Sequence, residues 1–562
     1  MSGPSTGHGK TGTSSYLDYL PPVLWDLPRD AGTVPLGDLL LVFEKVLTGV
    51  ADSTSLVHGD HVHPAITTEI DLVYRVFDPW VAPESALDWL AAGLALEAPT
   101  LRGRPSWNEY QRRAMIAAIS RIYALRGTKA GLSRFLETFS ARRARIAIDD
   151  GARLLALTPG AAAVARVVPL VTQGPVLSGE RIVTQGLLRP WSVAATSDGG
   201  LVVGDIAMPD ALGLPFKSRV WLLDTAGGLR MTGTPPSPQP LAADTLPLNR
   251  VVAVAVRPAQ AATAGKPATP ETVYALDRDG RLYSIPRPFE RATQLTLASG
   301  GITDAPAAMA FDPRSGQLIV LGRGTGPGTA NPHKVIAVGL DPFTVNTAIP
   351  LKVVREPLSL AVDRDGALLV GDGREQAPTA PDQRAGNVVR VDRTTTPWTE
   401  TVLLPADNPL VAPTGIARTR DGELYVLDAG LKPFAPPTTF PFISAVAQAA
   451  GVFRVALGAA PAAVRVTEPG QLVYPTGMVA TGGRLVVADP GQPLNGWSLG
   501  SVELKRSRAL PFQFDVVVHF AGDRLPTDEA GRQATVRRVV SIVRAIAERQ
   551  RPAHARCNVI SG

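Results

Sequence analysis

The chain has 562 residues, of which 45% are hydrophobic and 19% charged, with 53 glycines, 51 prolines and one cysteine, Cys557. That length calls for several domains, and a lone cysteine excludes an internal disulfide framework and fits folding in a reducing compartment. The net charge of +6 is unevenly spread, and no apolar run approaches the roughly 20 residues a membrane-spanning helix needs.

Residues 1–14 are polar and rich in Gly, Ser and Thr, without the apolar segment of a signal peptide. They read as a flexible arm on a protein made in the cytoplasm. Residues 15–150 read as mainly helical. In Glu84 to Ala95, the apolar side chains Leu87, Leu90, Ala91 and Leu94 share one helix face. Pro83 suits the first helical position, and Glu84 the positive end of the helix dipole. A second helix is predicted over Glu109 to Arg126, with Met115, Ile119 and Ile122 inward. Gly127 suits a left-handed ending, and Thr128 a cap for a third helix striped by Leu132, Phe135, Leu136 and Phe139.

Arg102, Arg104, Arg112, Arg113, Arg121, Arg126, Lys129, Arg134, Arg142, Arg143 and Arg145 face only Glu109 and Glu137 in this stretch. They read as helix faces that are solvated or meet acidic protein partners. His58, His61 and His63 are weak metal-ligand candidates, because their spacing matches no zinc motif and no cysteine supports them. The reading is a loop histidine cluster, with no metal and no cofactor.

Residues 151–185 read as a connecting segment. From 186 to 500 the helical period gives way to an imperfect repeat. Pro190-Trp191-Ser192 leads to Asp198-Gly199 and ends at Asp205; Pro357-Leu358-Ser359 leads to Asp365-Gly366 and Asp372. Pro413-Thr414 leads to Asp421-Gly422 and Asp428, and Pro475-Thr476 to Gly482-Gly483 and Asp489. Weaker copies begin near Arg250 and at Pro306. Each copy is a strand, a two-residue hairpin turn with positive φ, and a second strand. Six copies predict a six-bladed all-β propeller, and the pattern resembles NHL-type and gluconolactonase-like propellers. Residues 501–562 return to α/β: a strand over Phe512 to Val518, a helix with Val536, Val539, Val540, Val543 and Ile546 inward, a stop at Pro552, and a short strand at Cys557 to Ile560. The fold class is therefore multidomain α+β: a split, mainly helical domain with an inserted propeller.

Four segments outside the repeat carry a family resemblance: Tyr16-Leu17-Asp18-Tyr19-Leu20-Pro21-Pro22; Phe77-Asp78-Pro79 with Leu87-Asp88-Trp89-Leu90; Leu125-Arg126-Gly127-Thr128-Lys129-Ala130-Gly131-Leu132; and Arg551-Pro552-Ala553-His554. In this order they resemble the tail protein I-like baseplate proteins of contractile phages and contractile injection systems. The resemblance implies a structural wedge component present in multiple copies. Its partners would be a wedge protein and the hub or spike, with sheath or fibre proteins beside them. Phe77, Asp78, Pro79, Trp89, Arg126, Gly127, Thr128, Gly131, Pro552 and His554 would be fold or interface residues, with Arg126 and His554 as polar anchors. No catalytic residue and no nucleic acid is expected.

Two rivals are weighed against this. A propeller-based metal-dependent lactonase or hydrolase would use Asp205, Asp372, Asp428 and Asp489, but their recurrence at equivalent positions predicts a structural role, and His333 is the propeller's only histidine. A nucleic-acid-binding helix pair would need a polar recognition face, which the apolar stripe after Thr128 leaves little room for.

Overall fold

The computed structural model describes residues 14–25, 34–49, 56–58, 61–97, 100–101, 104–105, 107–140, 144–159, 165–171, 176–178, 181–183, 187, 189–206, 218–232, 237–262, 267–295, 302–373, 385–431, 443–444, 448–458, 460–491 and 513–561. Two compact units emerge, Met1–Ala98 with Trp107–Ser120, and Pro99–Ser106 with Arg121–Gly562. Within the second unit, the helix Lys129–Ser140 and the strand Ala144–Asp149 pack with C-terminal elements.

The first unit holds α1 (Leu36–Leu47), α2 (Ile66–Asp71), α3 (Glu84–Gly93) and the start of α4 (Glu109–Tyr123). Pro83 is the N-cap of α3, with φ −60° and ψ 149°, one position earlier than expected. Leu87 and Leu90 are buried, but Leu94 lies past the end of the helix and is exposed. The opening turn Ser15–Tyr19 is tied to α1: the Ser14 hydroxyl (2.5 Å) and the Ser15 amide (2.8 Å) donate to the Glu44 carboxylate.

In the second unit, α5 (Lys129–Ser140) buries Leu132, Phe135, Leu136 and Phe139. It leads into β1 (Ala144–Asp149), which pairs antiparallel with β2 (Gln513–Ala521), and β2 pairs parallel with β3 (Arg556–Ser561). The crossover from β2 to β3 runs through α6 (Glu529–Gln550), started by Asp528, whose side chain accepts from the Gly531 amide at 2.6 Å. Val536, Ile542, Val543, Ile546 and Ala547 form its buried face, and Val539 and Val540 are half-buried. Parallel strands need such a crossover. Thus the two flanks of the repeat meet in one sheet, although residues 150–512 separate β1 from β2.

Between them, six sheets of the described residues follow one another in a ring. Four are made from consecutive strands whose first members are Pro190–Ala195, Val251–Arg257, Pro306–Asp312 and Pro357–Val362, and a fifth begins at Pro413–Arg418 and skips Ile443–Ser444, which pairs with β2. The sixth joins Gly477–Thr481 and Arg484–Ala488 to Leu154–Thr158 and Arg166–Val171. Segment 151–185, expected as a connector, therefore supplies the two outer strands that close the ring. The first strand of each sheet packs against those of its two neighbours, the sixth against the first. Separate apolar clusters fill each gap, for instance Leu154, Val193, Val203, Trp221 and Val486 between the sixth and first sheets. The ring is a β-propeller.

Its sequence repeat has a direct physical meaning. In three copies a hydroxyl following the leading proline reaches the next sheet: Ser359 donates to Pro413 O (2.7 Å), Thr414 to Pro475 O (2.8 Å), and Thr476 to Trp191 O (2.7 Å), which bridges the closure. Pro190, Pro306, Pro357 and Pro413 sit at strand starts beside a β-bulge, where the missing amide breaks no ladder. The Asp-Gly turns differ from expectation. Thr196 to Gly200, Asp277 to Arg281, Asp363 to Ala367 and Thr419 to Glu423 are three-residue loops, with one glycine at positive φ after a type I turn. Gly482-Gly483 alone, among the described turns of the repeat, is the two-residue form, with φ +56° and +76°.

Candidate functional site

The segment from Leu125 to Leu132 forms a tight helix corner. Gly127 has φ +78° and nothing lies within 4 Å of where its Cβ would be, so backbone conformation alone selects glycine there. The Thr128 hydroxyl donates to Leu125 O (2.7 Å) and accepts from the Gly131 amide (3.1 Å), capping α5. Gly131 is selected by space, because a Cβ would sit 2.2 Å from the Leu125 carbonyl oxygen. Arg126 is exposed, with its guanidinium 5.8 Å from the Tyr123 ring centroid.

In the first unit, Asp78 makes a turn, its carboxylate accepting from the Trp80 amide at 2.9 Å. Arg113 then donates to Pro79 O (2.6 Å) and Ala82 O (2.9 Å), locking Phe77-Asp78-Pro79 to the start of α4. Arg112 pairs with Asp88 at 2.6 Å. Phe77 and Trp89 meet edge-on at 5.6 Å, yet both are more than half exposed. Pro552 follows Arg551, the C-cap of α6, and His554 is exposed beyond it. Two strands, Leu56–His58 and His61–His63, replace the expected histidine loop and set His58 opposite His61. The side chains of His58, His61 and His63 lie outside the described residues.

The ring is fastened to the β1–β2 sheet by a polar seam that the sequence reading missed. Arg145 was grouped with solvated helix faces, but it lies on β1 and is fully buried. Its guanidinium donates to Val473 O of the ring and stands 3.3 Å from His519 Nδ1 on β2. Burial brings Arg145 down to about 10, against the pull of Asp489 and Tyr474. Burial and the adjacent Arg145 hold His519 well below the usual imidazole range. Beside it, Arg134 pairs with Glu468, Ser133 donates to Pro469 O, and Ile148 N donates to Gly470 O at 3.1 Å. Arg153 bonds Asp149 at 2.9 Å, and its carbonyl accepts from Asp489 N at 2.9 Å, so both ends of the inserted ring are tied together. A cue was present: Arg145 interrupts the strand-like run Ala144 to Ile148.

The strand-end aspartates share one task. Asp205 accepts from Arg189 N (2.6 Å), Asp372 from Arg355 N (2.9 Å) and Glu356 N (2.6 Å), Asp428 from Val411 N (2.7 Å) and Ala412 N (3.0 Å), and Asp489 from Val473 N (2.7 Å) and Tyr474 N (3.0 Å). Each carboxylate pins the chain entering its own sheet. Burial pushes Asp372 up to about 6 and raises Asp428 and Asp489 above the usual carboxylate range. His333 is likewise engaged on both nitrogens: Nδ1 accepts from Gly324 N (2.9 Å), which leaves Nε2–H to donate to Arg355 O (2.8 Å).

The phage tail protein family (Tail_P2_I) matches residues 60–149, a span that ends with β1 and contains both the Asp78 turn and the helix corner. This supports a structural role in a phage tail and incorporation into a tail particle. The C-terminal segment lies outside the match. No curated protein matches the chain. Among solved structures, the chain is similar to the gluconolactonase XC5397 of Xanthomonas campestris, at 13% identity over 62% of this chain and 97% of that one, with a TM-score of 0.35. PorZ, a surface component of the type-IX secretion system of Porphyromonas gingivalis, is 13% identical over 56% of this chain and 39% of that one, with a TM-score of 0.33. The Cps50 (Swd1) β-propeller domain of Myceliophteria thermophila is 11% identical over 55% and 99%, with a TM-score of 0.30.

Proposed function

We propose that the chain is a non-enzymatic wedge component of the baseplate of a contractile phage-tail-like particle, carrying a six-bladed propeller as a rigid platform for a neighbouring protein or ligand. The observation that carries this reading, beside the family match, is where the apolar surface lies. Among the described residues, all of the exposed large hydrophobic side chains except Val168, Val402, Leu457 and Val464 belong to the first unit. α1 buries none of its residues, and Leu39, Val42 and Phe43 are all exposed. Trp25, Trp80 and Trp89 are about half exposed. Surface of this kind is characteristic of a chain that is covered in an assembly. Among the described residues no helix is long and apolar enough to cross a membrane.

The groups a hydrolase reading would use are engaged structurally: the strand-end aspartates accept from backbone amides and His333 bonds a backbone amide and a carbonyl, which supports the non-enzymatic reading. Arg112, Arg113, Arg134 and Arg145 of the basic stretch are engaged within the chain, which supports a fold role for those four over nucleic-acid contact. The test is incorporation. Particles should assemble with the wild-type chain and lose it when Val42→Asp and Phe43→Asp are combined, while the propeller's own melting is unchanged. Equal incorporation of the double variant would overturn the reading. Replacing residues 154–491 by a short linker asks the second question. Assembly with loss of a bound partner supports a platform, and failed assembly an architectural ring.

A further inference from the structure

The middle of the propeller holds a cavity of about 610 Å³, lined by the leading strands and the residues just before them. Its charged lining is one-sided. Arg189, Arg250, Arg278 and Arg323 face it, with Asp304 as the single carboxylate among the lining residues. The basic residues come from three consecutive sheets: Arg189 precedes the first, Arg250 and Arg278 flank the leading strands of the second, and Arg323 follows the second strand of the third.

Arg323 marks a departure from the repeat. Where other sheets end their second strand on a pinning aspartate, the third has Gly322 opposite Pro306, followed by Arg323. Arg323 Nε donates to Pro357 O at 3.1 Å, which orients its guanidinium. Arg250 is held in an unusual state. Its backbone has φ +53°, a region that costs a non-glycine residue energy, and its guanidinium stands 5.5 Å from the Trp191 ring centroid. The amide of Arg278 donates to both Asn249 O (3.1 Å) and Arg250 O (3.0 Å), keeping those two arginines together. Burial, and then repulsion from Arg278 and Arg323, bring Arg250 down to about 10. Glu356 lies close enough to favour the Arg323 charge and offsets part of this excess. Holding like charges in a partly desolvated cavity is unfavourable by itself and becomes favourable around an anion.

We propose that this cavity binds a small multivalent oxyanion, a phosphate- or carboxylate-bearing small molecule, through Arg250, Arg278 and Arg323. This gives the proposed platform a ligand class, but it is measured on the purified chain, so its failure and a failure of incorporation into particles are separate results. The experiment is calorimetric titration of the full chain with pyrophosphate and with citrate at constant ionic strength, with chloride as the reference. Saturable binding is expected, weakened roughly ten-fold or more in Arg323→Gln and in Arg250→Gln, as for loss of a charge-assisted hydrogen bond. Arg537→Gln, on the exposed side of α6, should bind as wild type. Binding of pyrophosphate alone identifies a phosphate-bearing ligand, and binding of both shows that valence is what is recognised. No saturable binding of either anion, or an Arg323→Gln variant that is folded and binds as wild type, overturns the proposal.

Discussion

Asp428 offers the sharpest test of why the ring's aspartates recur. Its buried carboxylate accepts from Val411 N at 2.7 Å and Ala412 N at 3.0 Å through one oxygen, and from Gly430 N at 2.6 Å through the other. Asp428→Ala leaves all three amides inside the fifth sheet without an acceptor. Each buried unsatisfied donor costs about 1–3 kcal/mol. Set against this, the substitution removes a carboxylate whose charge is disfavoured by burial. The net loss is on the order of 3–5 kcal/mol, large for a single substitution, and should lower the ring's melting temperature by about 5–10 °C.

Scanning calorimetry on the full chain reads this directly. Asp428→Asn separates charge from hydrogen bonding. Its carbonyl oxygen still serves Val411 and Ala412, but its NH2 meets the Gly430 amide donor to donor, so an intermediate loss is expected. If Asp428→Ala melts within about 1 °C of wild type, the pinning role is wrong and a chemical role for the recurring carboxylates returns to consideration.

Gly131→Ala forces a Cβ against the Leu125 carbonyl and should destabilise α5 by about 2–4 kcal/mol, whereas Gly127→Ala should cost only about 1–2 kcal/mol of backbone strain. Hydrogen exchange of the α5 amides ranks the two, and the reverse order would refute the steric reading of the corner. His519 is depressed in the folded state, so its contribution is complete above the unfolded value of about 6.5 and is lost as pH falls below it. Wild type should therefore lose melting temperature on acidification relative to His519→Gln, and parallel profiles would contradict this. Asp372 has the opposite sign: its folded value is raised to about 6, so its stability is present in acid and lost as pH rises through that value. Both of its backbone bonds use Oδ1, which an amide retains. Asp372→Asn should thus gain up to about 2–3 kcal/mol at neutral pH, and no gain there would show that the charge is stabilised in place.

Local chemistry was legible in the sequence; long-range closure was not. Gly127, Thr128 and the Leu132 to Phe139 stripe follow from positive φ, capping and helical period, which act within a few residues. The repeat was readable for the same reason, though the Asp-Gly pairs proved to be type I turns with one left-handed glycine, because dipeptide identity does not fix loop length. Leu154–Thr158 and Arg166–Val171 carry no repeat signature, since outer strands are selected only for pairing. One clue was available: Asp489 is followed by the Gly-, Pro- and polar-rich run Pro490 to Gly500 in place of a strand-like apolar run, while two unassigned apolar runs lie just after β1. The Arg145–His519 seam was hidden because its members are far apart in the chain, and one arginine in a basic stretch looks like its solvated neighbours.

The nested pairing has an energetic consequence. β1 joins β2 across residues 150–512, and inside that span Leu154 pairs with Ala488 to close the ring. Either pairing alone must close a loop of more than 300 residues. Once the ring is closed, bringing β1 to β2 requires only the short tether from Asp149 to Leu154 and the one from Ala488 to Gln513. With loop entropy growing as the logarithm of length, the second closure is easier by about 2 kcal/mol than it would be alone. The Asp149–Arg153–Asp489 tie sits where the two pairings meet and adds to that coupling. A propeller closed by the strands that follow β1 therefore favours the split sheet by holding its two halves together.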